Sequence, residues 1–184
     1  MIKILAFDVS SSTTGYSIFE IIDNSINLIN SSYIKPIKTG NIIKDLADTR
    51  DKIKTLIGEI KPTHIVIEDI IKFMSGKSSA QTIITLTSYN RMISLLAFDY
   101  LNQPPQMFSV MAIRHGLKIN KIFPKKEDMP ELVANHLNIK FPYEYNNKQK
   151  IKVESYDKAD AIAVGLYYAF ILTNKIKQKK AKVK

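Results

Sequence analysis

Ile4-Leu5-Ala6-Phe7-Asp8-Val9, followed by the turn Ser10-Ser11-Ser12-Thr13-Thr14-Gly15, is the stretch that decides the fold. A near-continuous apolar run of this length predicts a central β-strand that is buried on both faces. The strand nevertheless carries a carboxylate, Asp8, close to its C-terminal end. A carboxylate removed from water needs a cation or hydrogen-bond donors to compensate it. Two explanations stay open: Asp8 accepts hydrogen bonds from the hydroxyl-rich turn, or other acids join it at a cation site.

Length and composition limit the class of protein. With 184 residues and 45% hydrophobic content, the chain is long enough for one domain with a substantial core and short for two. We predict a single domain over residues 1–174 and a Lys-rich, disordered tail over residues 175–184. The absence of cysteine excludes disulfides and thiolate metal sites. No signal layout or membrane-length apolar run is seen, so we expect a cytoplasmic protein without a membrane partner.

The charge distribution indicates a polyanionic partner. The chain has 27 Lys and Arg residues against 17 Asp and Glu residues, which gives a net charge of +10. Six lysines lie in the last ten residues, so residues 1–174 carry the remaining +4. Such a tail is typical either of a solvated, disordered end or of a phosphate-binding arm, and both interpretations stay open.

Hydrophobic patterns predict an α/β fold with a five-stranded mixed sheet flanked by helices. Strand-like runs at 14–22 and 26–34, joined by Asp23-Asn24-Ser25, predict a hairpin that continues antiparallel from the first strand. A helix over 41–60 leads to a fourth strand over 64–69, and a strand–helix–strand connection favours parallel pairing. Three antiparallel strands are thus followed by two parallel ones. The remaining predicted elements are a helix over 80–101, a strand over 106–110 and helices over 129–137 and 155–172.

Acidic residues end two of these strands and head the last helix. The carboxyl ends of parallel strands meet at one edge of a sheet, so Asp8 and Glu68 are expected to be neighbours. In the last helix, for which Ser155 is a candidate N-cap, Asp157 and Asp160 share the apolar face. Four carboxylates that meet repel one another unless they hold cations, and an all-oxygen donor set suits Mg²⁺ or Mn²⁺. Such ions could promote the attack of water on a phosphate diester.

These residues carry a family resemblance. The motifs Asp8-x-x-Ser11-x-x-Thr14-Gly15-Tyr16, Ile67-Glu68 and Asp157-x-x-Asp160-Ala161-x-Ala163 resemble, in content, order and spacing, those of RuvC-type Holliday junction resolvases of the ribonuclease-H-like superfamily. The resemblance implies that Asp8, Glu68, Asp157 and Asp160 are catalytic and bind two Mg²⁺ ions, for which Mn²⁺ can substitute. It further implies hydrolysis to a 5′-phosphate and a 3′-hydroxyl. A homodimer is also implied, with two sites that nick opposite strands of a four-way junction.

The resemblance also implies contacts with DNA. Phe73-Met74 lies in the loop after Glu68, where the family has an aromatic residue that inserts at the junction centre, although a loop Phe is also typical of an anchor in a satellite core. Lys126, or Lys125, falls where the family has a phosphate-binding lysine. The full set of expected DNA-binding residues is Ser11, Phe73, Met74, Lys77, Lys121, Lys125 and Lys126.

Departures from the family pattern leave the breadth of substrates and some alternatives open. Val9-Ser10 replaces the usual Pro-Gly, and Thr87-Ser88-Tyr89-Asn90 replaces a pattern of small residues, which predicts a divergent, bacteriophage-encoded branch that also cuts forks or flaps. The alternatives are a ribonuclease-H-like nuclease on RNA or hybrids, a sugar- or acetate-kinase-like domain, and a non-catalytic junction-binding protein. The kinase would need a second domain and a Gly-rich loop, and a DNA binder gains nothing from four acids near phosphates.

Overall fold

Five strands form one mixed sheet in the order β3-β2-β1-β4-β5. The computed structural model describes residues 1–10, 12–70, 79–119 and 122–174. The first three strands are antiparallel, whereas β4 runs parallel to β1 and β5 parallel to β4, which confirms the predicted fold class. The elements are β1 (Ile2–Val9), β2 (Thr14–Ile22), β3 (Ser25–Ile34), α1 (Ile42–Ile60), β4 (His64–Glu68), α2 (Ala80–Leu101), β5 (Gln106–Phe108), α3 (Val110–Leu117), α4 (Met129–Leu137) and α5 (Val153–Leu172).

Local signals in the sequence explain the first hairpin and the crossover helix. Asp23 and Asn24 both have positive φ angles, of 49° and 63°, as a tight two-residue turn between twisted strands requires. The side chain of Asn41 accepts hydrogen bonds from the backbone N–H groups of Ile43 and Lys44 and so caps α1. Lys61 ends this helix in the left-handed conformation, directly before Pro62.

The sheet separates two apolar cores, and this separation decides where the acids point. Ile4 and Ala6 of β1 pack in the core beneath α3, α4 and α5, whereas Leu5 and Phe7 pack against α1 and α2. Since side chains alternate along a strand, Asp8 continues the face of Ala6. On β4 the same alternation places Glu68 on the face of Val66, which also belongs to the core beneath α5. Both strand-end acids therefore lie on the α5 side.

Two glycines allow α5 to lie directly against β2. A Cβ atom added to Gly15 would lie 2.2 Å from the carbonyl oxygen of Asp157, and one added to Gly165 would lie 2.6 Å from the Phe19 ring. Between these two contacts, the buried hydroxyl of Ser17 donates a hydrogen bond of 2.8 Å to the carbonyl oxygen of Ala161. The backbone of α5 at Asp157 therefore packs directly against the backbone of β2 at Gly15.

Two details differ from the predictions. The helix α3 was not predicted, and the strand expected over 106–110 ends at Phe108, because Ser109 caps α3 by accepting a hydrogen bond from the N–H of Ala112. The prediction of Ser155 as the N-cap of α5 was also wrong. The helix begins at Val153, and the buried Ser155 hydroxyl instead accepts a hydrogen bond from the N–H of Glu144. None of the helices in the described ranges is long and apolar enough to cross a membrane.

Candidate active site

The structure brings together the four predicted acids at one edge of the sheet. Asp8 lies near the end of β1, Glu68 ends β4, and Asp157 and Asp160 lie in the first turns of α5. The charges of the other three acids all raise the pKa of Asp8, as expected for carboxylates that are close neighbours. Asp157 and Asp160 are buried, with relative exposures of 6% and 9%. The four predicted acids thus lie near one another, and their role as metal ligands stays a prediction.

Removal from water perturbs every acid of this cluster in the same direction. Burial, followed by repulsion from Glu68 and Asp160, raises the pKa of Asp8 well above its usual value. Burial and the charge of Asp160 raise the pKa of Glu68 to about 8. Burial raises the pKa of Asp160 to about 6 and also raises that of Asp157, although Lys126 opposes both shifts. The cluster therefore retains protons near neutral pH unless cations compensate its charge.

Among the described residues, Lys126 and Arg114 place positive charge near this cluster. The ammonium nitrogen Nζ of Lys126 lies 3.4 Å from Oδ1 of Asp157 and 3.6 Å from Oδ2 of Asp160. Arg114, on α3, acts through its charge to lower the pKa values of Glu68 and Asp160. Lys125, the alternative to Lys126, has an exposed side chain and contributes only its backbone N–H, which donates to Asp128. Of these two neighbouring lysines, Lys126 is therefore the one that contacts the acids.

The donor set suits a hard divalent cation. The four side chains are all carboxylates, and hard cations prefer such oxygen donors. The Lys126 ammonium contacts the carboxylates of Asp157 and Asp160 and partly compensates their negative charge. In the described ranges, no three acidic or histidine side chains are yet arranged as a metal-binding group. The carboxylates are therefore neighbours, and they have to draw closer to share a metal ion.

In the turn after β1, Ser10 and Thr13 satisfy each other's hydrogen bonds, whereas the buried hydroxyl of Thr14 has no partner among the described residues. The hydroxyl of Ser10 donates to the carbonyl oxygen of Thr13 at 2.6 Å and accepts from the N–H of Thr13 at 3.0 Å. In the described part of this turn, which lacks Ser11, no hydroxyl donates to Asp8. This observation favours the cation-site explanation for Asp8 over the hydrogen-bonded turn.

Sequence reasoning missed two residues that adjoin the acids. Asn90, buried on α2, donates a hydrogen bond of 3.0 Å from Nδ2 to the backbone carbonyl of Glu68 and so fixes the end of β4. The sequence feature that could have identified Asn90 is a polar residue on the apolar face of a predicted helix. Arg114 was missed because the helix that presents it, α3, was not predicted. Its signal, a single arginine in an apolar octapeptide, is weak.

Several predicted DNA-binding residues lie outside the described residues. They are Ser11, Phe73, Met74, Lys77 and Lys121, together with the Lys-rich tail. Their roles stay predictions.

Comparison with known proteins gives the family. The model of the family described as crossover junction endodeoxyribonuclease RuvC matches residues 4–168. The chain belongs to the RuvC family. The RuvC of Ehrlichia ruminantium (strain Gardel) is 27% identical over 171 residues, which cover 91% of this chain and 96% of that protein. The RuvC of Orientia tsutsugamushi (strain Boryong) is 23% identical over 160 residues, which cover 87% and 90% of the two chains.

A solved structure shows the same fold. The Thermus thermophilus RuvC in complex with a Holliday junction substrate superimposes with a TM-score of 0.70 at 14% sequence identity, over 93% of this chain and 95% of that one. Family membership confirms the predicted class of enzyme, a crossover junction endodeoxyribonuclease that acts on branched DNA. The RuvC family depends on a divalent metal, in agreement with the all-carboxylate donor set. The bacteriophage origin stays a prediction.

Proposed function

We propose that this RuvC-family protein resolves four-way DNA junctions, with Asp8, Glu68, Asp157 and Asp160 as its catalytic and metal-binding residues. The observation that carries the proposal is the meeting of four carboxylates with raised pKa values at one edge of the sheet. Burying so many acids together destabilises a fold, so their presence needs a function that uses cations. Phosphodiester hydrolysis is the chemistry of the family.

We propose that two Mg²⁺ ions bind here and that Mn²⁺ substitutes for them. Four ionised carboxylates balance the charge of two divalent cations, which favours two ions over one. When bound, the ions would activate a water molecule for attack and stabilise the departing 3′-oxygen, which leaves a 5′-phosphate and a 3′-hydroxyl. The acids themselves have to lose their protons before they bind metal.

Lys126 and Arg114 supply the positive charge for the DNA backbone. Once cations neutralise Asp157 and Asp160, the Lys126 ammonium no longer has to compensate them and can bind a phosphate. About half of the Lys126 side chain is exposed, at 47%, so the ammonium can reach a ligand in solution. Arg114 presents a planar guanidinium that can donate two parallel hydrogen bonds to one phosphate. These two residues therefore orient the scissile strand against the acids.

An exposed apolar row on α2 supports a homodimer. Ile84, Leu95 and Phe98 lie on one side of the helix, where Arg91 is also exposed, and their relative exposures are 59%, 60% and 43%. Large exposed side chains in one row are typical of an interaction surface. Pairing this stripe about a two-fold axis would give two active sites for the two opposite strands of a junction. We propose this arrangement, in the cytoplasm of a bacterial or phage-infected cell.

A substrate panel tests the proposed function. The wild-type protein and Asp8→Asn are incubated with a labelled synthetic four-way junction in Mg²⁺ or in EDTA, with linear duplex, fork, flap and RNA–DNA hybrid as parallel substrates. We expect metal-dependent cleavage of the junction by the wild type, weaker cleavage of forks and flaps, and none by the variant. Preferential cleavage of the hybrid would favour the ribonuclease-H-like alternative.

A further inference from the structure

A buried lysine lies between the two helical acids in sequence but is paired elsewhere. Lys158 is only 5% exposed, and its ammonium donates to Oε1 of Glu144 at 2.8 Å and to the carbonyl oxygen of Pro142 at 3.3 Å. A buried ammonium requires such a partner, because an unpaired charge in the interior strongly destabilises a fold. Lys158 thus links α5 to the segment that precedes it.

Glu144 joins this segment to α5 through both its side chain and its backbone. Its other carboxylate oxygen, Oε2, accepts a hydrogen bond of 3.2 Å from the hydroxyl of Tyr33, on β3. Its N–H donates to the hydroxyl of Ser155 at 2.9 Å, and its carbonyl oxygen accepts from the N–H of Lys152 at 2.8 Å. One residue therefore contacts the edge of the sheet and the first turn of α5 at the same time.

The contacts of Glu144 stabilise a first turn of α5 that has no side-chain cap and that is otherwise held by the ion pair between Glu154 and Lys35. Lys152, at the N-cap position, makes no side-chain capping hydrogen bond. An uncapped helix end is free to fray within its first turn unless other contacts hold it. Asp157 lies two residues after Ser155 and one before Lys158, so movement of this turn would move the proposed metal-binding carboxylates.

We propose that Glu144 is a positioning residue, which acts through Lys158, Ser155 and Tyr33 to hold Asp157 and Asp160 in a geometry that can bind metal. This inference rests on the proposed function of these two acids as metal ligands. Residues that orient ligands without touching the metal typically change metal affinity or activity by about 10- to 100-fold when they are substituted. We expect an effect of that size here.

Metal binding measured without DNA tests the inference. Electron paramagnetic resonance of free Mn²⁺ gives the dissociation constant for the wild type, Glu144→Gln and Tyr33→Phe, and the Mg²⁺ concentration for half-maximal junction cleavage is measured in parallel. For Glu144→Gln we expect both values to rise by about tenfold or more, with cleavage at saturating Mg²⁺ largely retained. Tyr33→Phe removes one hydrogen bond to Glu144 and should give a smaller rise. Asp51→Asn, which removes an exposed pair with Arg50, is the matched control and should leave both unchanged.

A double variant separates positioning from stability. Glu144→Gln leaves the Lys158 ammonium buried without its counter-ion, and the variant could unfold for that reason alone. Glu144→Gln combined with Lys158→Met removes both charges and keeps most of the volume of the lysine stem. We expect this variant to fold, by circular dichroism and thermal melting, yet to bind Mn²⁺ about tenfold or more weakly. If the folded double variant bound Mn²⁺ like the wild type, the positioning role would be overturned.

The same data distinguish this inference from the proposed function. A wild type that binds Mn²⁺ and cleaves junctions, with Glu144 variants that do so at unchanged metal concentrations, would overturn the positioning role alone. A wild type that binds no Mn²⁺ would overturn both. A wild type that binds Mn²⁺ with an affinity that depends on Glu144, but cuts no junction, would overturn the proposed activity and leave the positioning role in place.

Discussion

The ammonium of Lys126 lies 3.4 Å from Oδ1 of Asp157, so a side chain that is about half exposed contacts a buried acid of the last helix. The same ammonium lowers the pKa values of Asp8, Asp157, Asp160 and Glu68, so it is a counter-ion for all four acids, together with Arg114 for Glu68 and Asp160. A cationic side chain in this position can form ion pairs with the acids in the free protein and with a DNA phosphate in the complex.

Lys126→Met is therefore expected to weaken junction binding and to change its salt dependence. The loss of one phosphate contact should reduce the slope of log K against log salt by about 1. Fluorescence anisotropy of a labelled junction in EDTA, over a range of salt concentrations, measures this slope. Lys125→Met, with the same loss of charge one residue away and no contact with the acids, is the control for general charge effects. Equal slopes for the two variants would contradict the role of Lys126.

Asp8→Asn should abolish cleavage while stabilising the metal-free protein. The raised pKa of Asp8 means that its ionised form destabilises the fold at pH 8, and a neutral amide of the same shape removes that cost. We therefore expect the variant to unfold at a higher temperature than the wild type in the absence of metal. Thermal melting in EDTA at pH 8 measures the gain, and junction binding should persist. A strongly destabilised variant would instead show that Asp8 is held by hydrogen bonds from the turn.

Metal binding should release protons near neutral pH. With a pKa of about 8, Glu68 is mostly protonated at pH 7 in the metal-free protein, and it must lose that proton to bind a cation. We expect about one or more protons released per site at pH 7, and fewer at pH 9. Calorimetric titration of Mg²⁺ in buffers of different ionisation enthalpy gives this number. A heat of binding that is independent of the buffer at pH 7 would show that the acids are already ionised.

The same pKa shift contributes to the pH dependence of stability. Between pH 4.5 and about 8 the folded, metal-free protein binds more protons at Glu68 than the unfolded chain does. Its free energy of unfolding should therefore fall as pH rises through that window. Saturating Mg²⁺ should reduce this fall, because the ions stabilise the ionised carboxylates.

The sequence alone predicted the parts of the site that strong, repeated signals encode. The run that ends at Asp8, the β-branched strand that ends at Glu68 and the periodicity around Asp160 each place an acid by strand alternation or helical spacing. The helix that carries Arg114 was not predicted, because its N-cap and first residue were assigned to the strand over 106–110 that in fact ends at Phe108. The cap at Ser155 was misassigned because Glu144, eleven residues earlier, uses its hydroxyl. A contact between two residues in different elements produces no pattern in the sequence around either residue.

Gly15→Ala should disrupt the site through the backbone. The added Cβ would lie 2.2 Å from the Asp157 carbonyl oxygen, so α5 would have to move away from β2. We expect a loss of about 1 to 3 kcal/mol or more in the free energy of unfolding, together with weaker metal binding. Gly58→Ala is the control, because a Cβ there meets no atom within 4 Å and should stabilise α1 by about 0.5 to 1 kcal/mol. Chemical denaturation compares the two, and an unaffected Gly15→Ala would contradict the close packing.

Leu95→Glu should convert the proposed dimer into a monomer. A carboxylate at the centre of the exposed stripe on α2 would be buried, and repelled by its symmetry mate, in any pairing through this face. Light scattering coupled to size-exclusion chromatography measures the mass before and after the substitution. Leu95 is 60% exposed, so the fold itself should be nearly unaffected. A variant that remains dimeric would place the interface elsewhere.

The most direct test of the central claim, that the four acids form a metal-dependent junction-resolving site, maps the nicks in a junction with each strand labelled in turn. In Mg²⁺ the wild type should cut two opposite strands at symmetric positions and leave nicks that DNA ligase seals, as a 5′-phosphate and a 3′-hydroxyl require. Asp8→Asn should bind the junction and leave it intact. Tight binding by the wild type with no cut in Mg²⁺ or Mn²⁺ would contradict the account and favour a non-catalytic junction-binding protein.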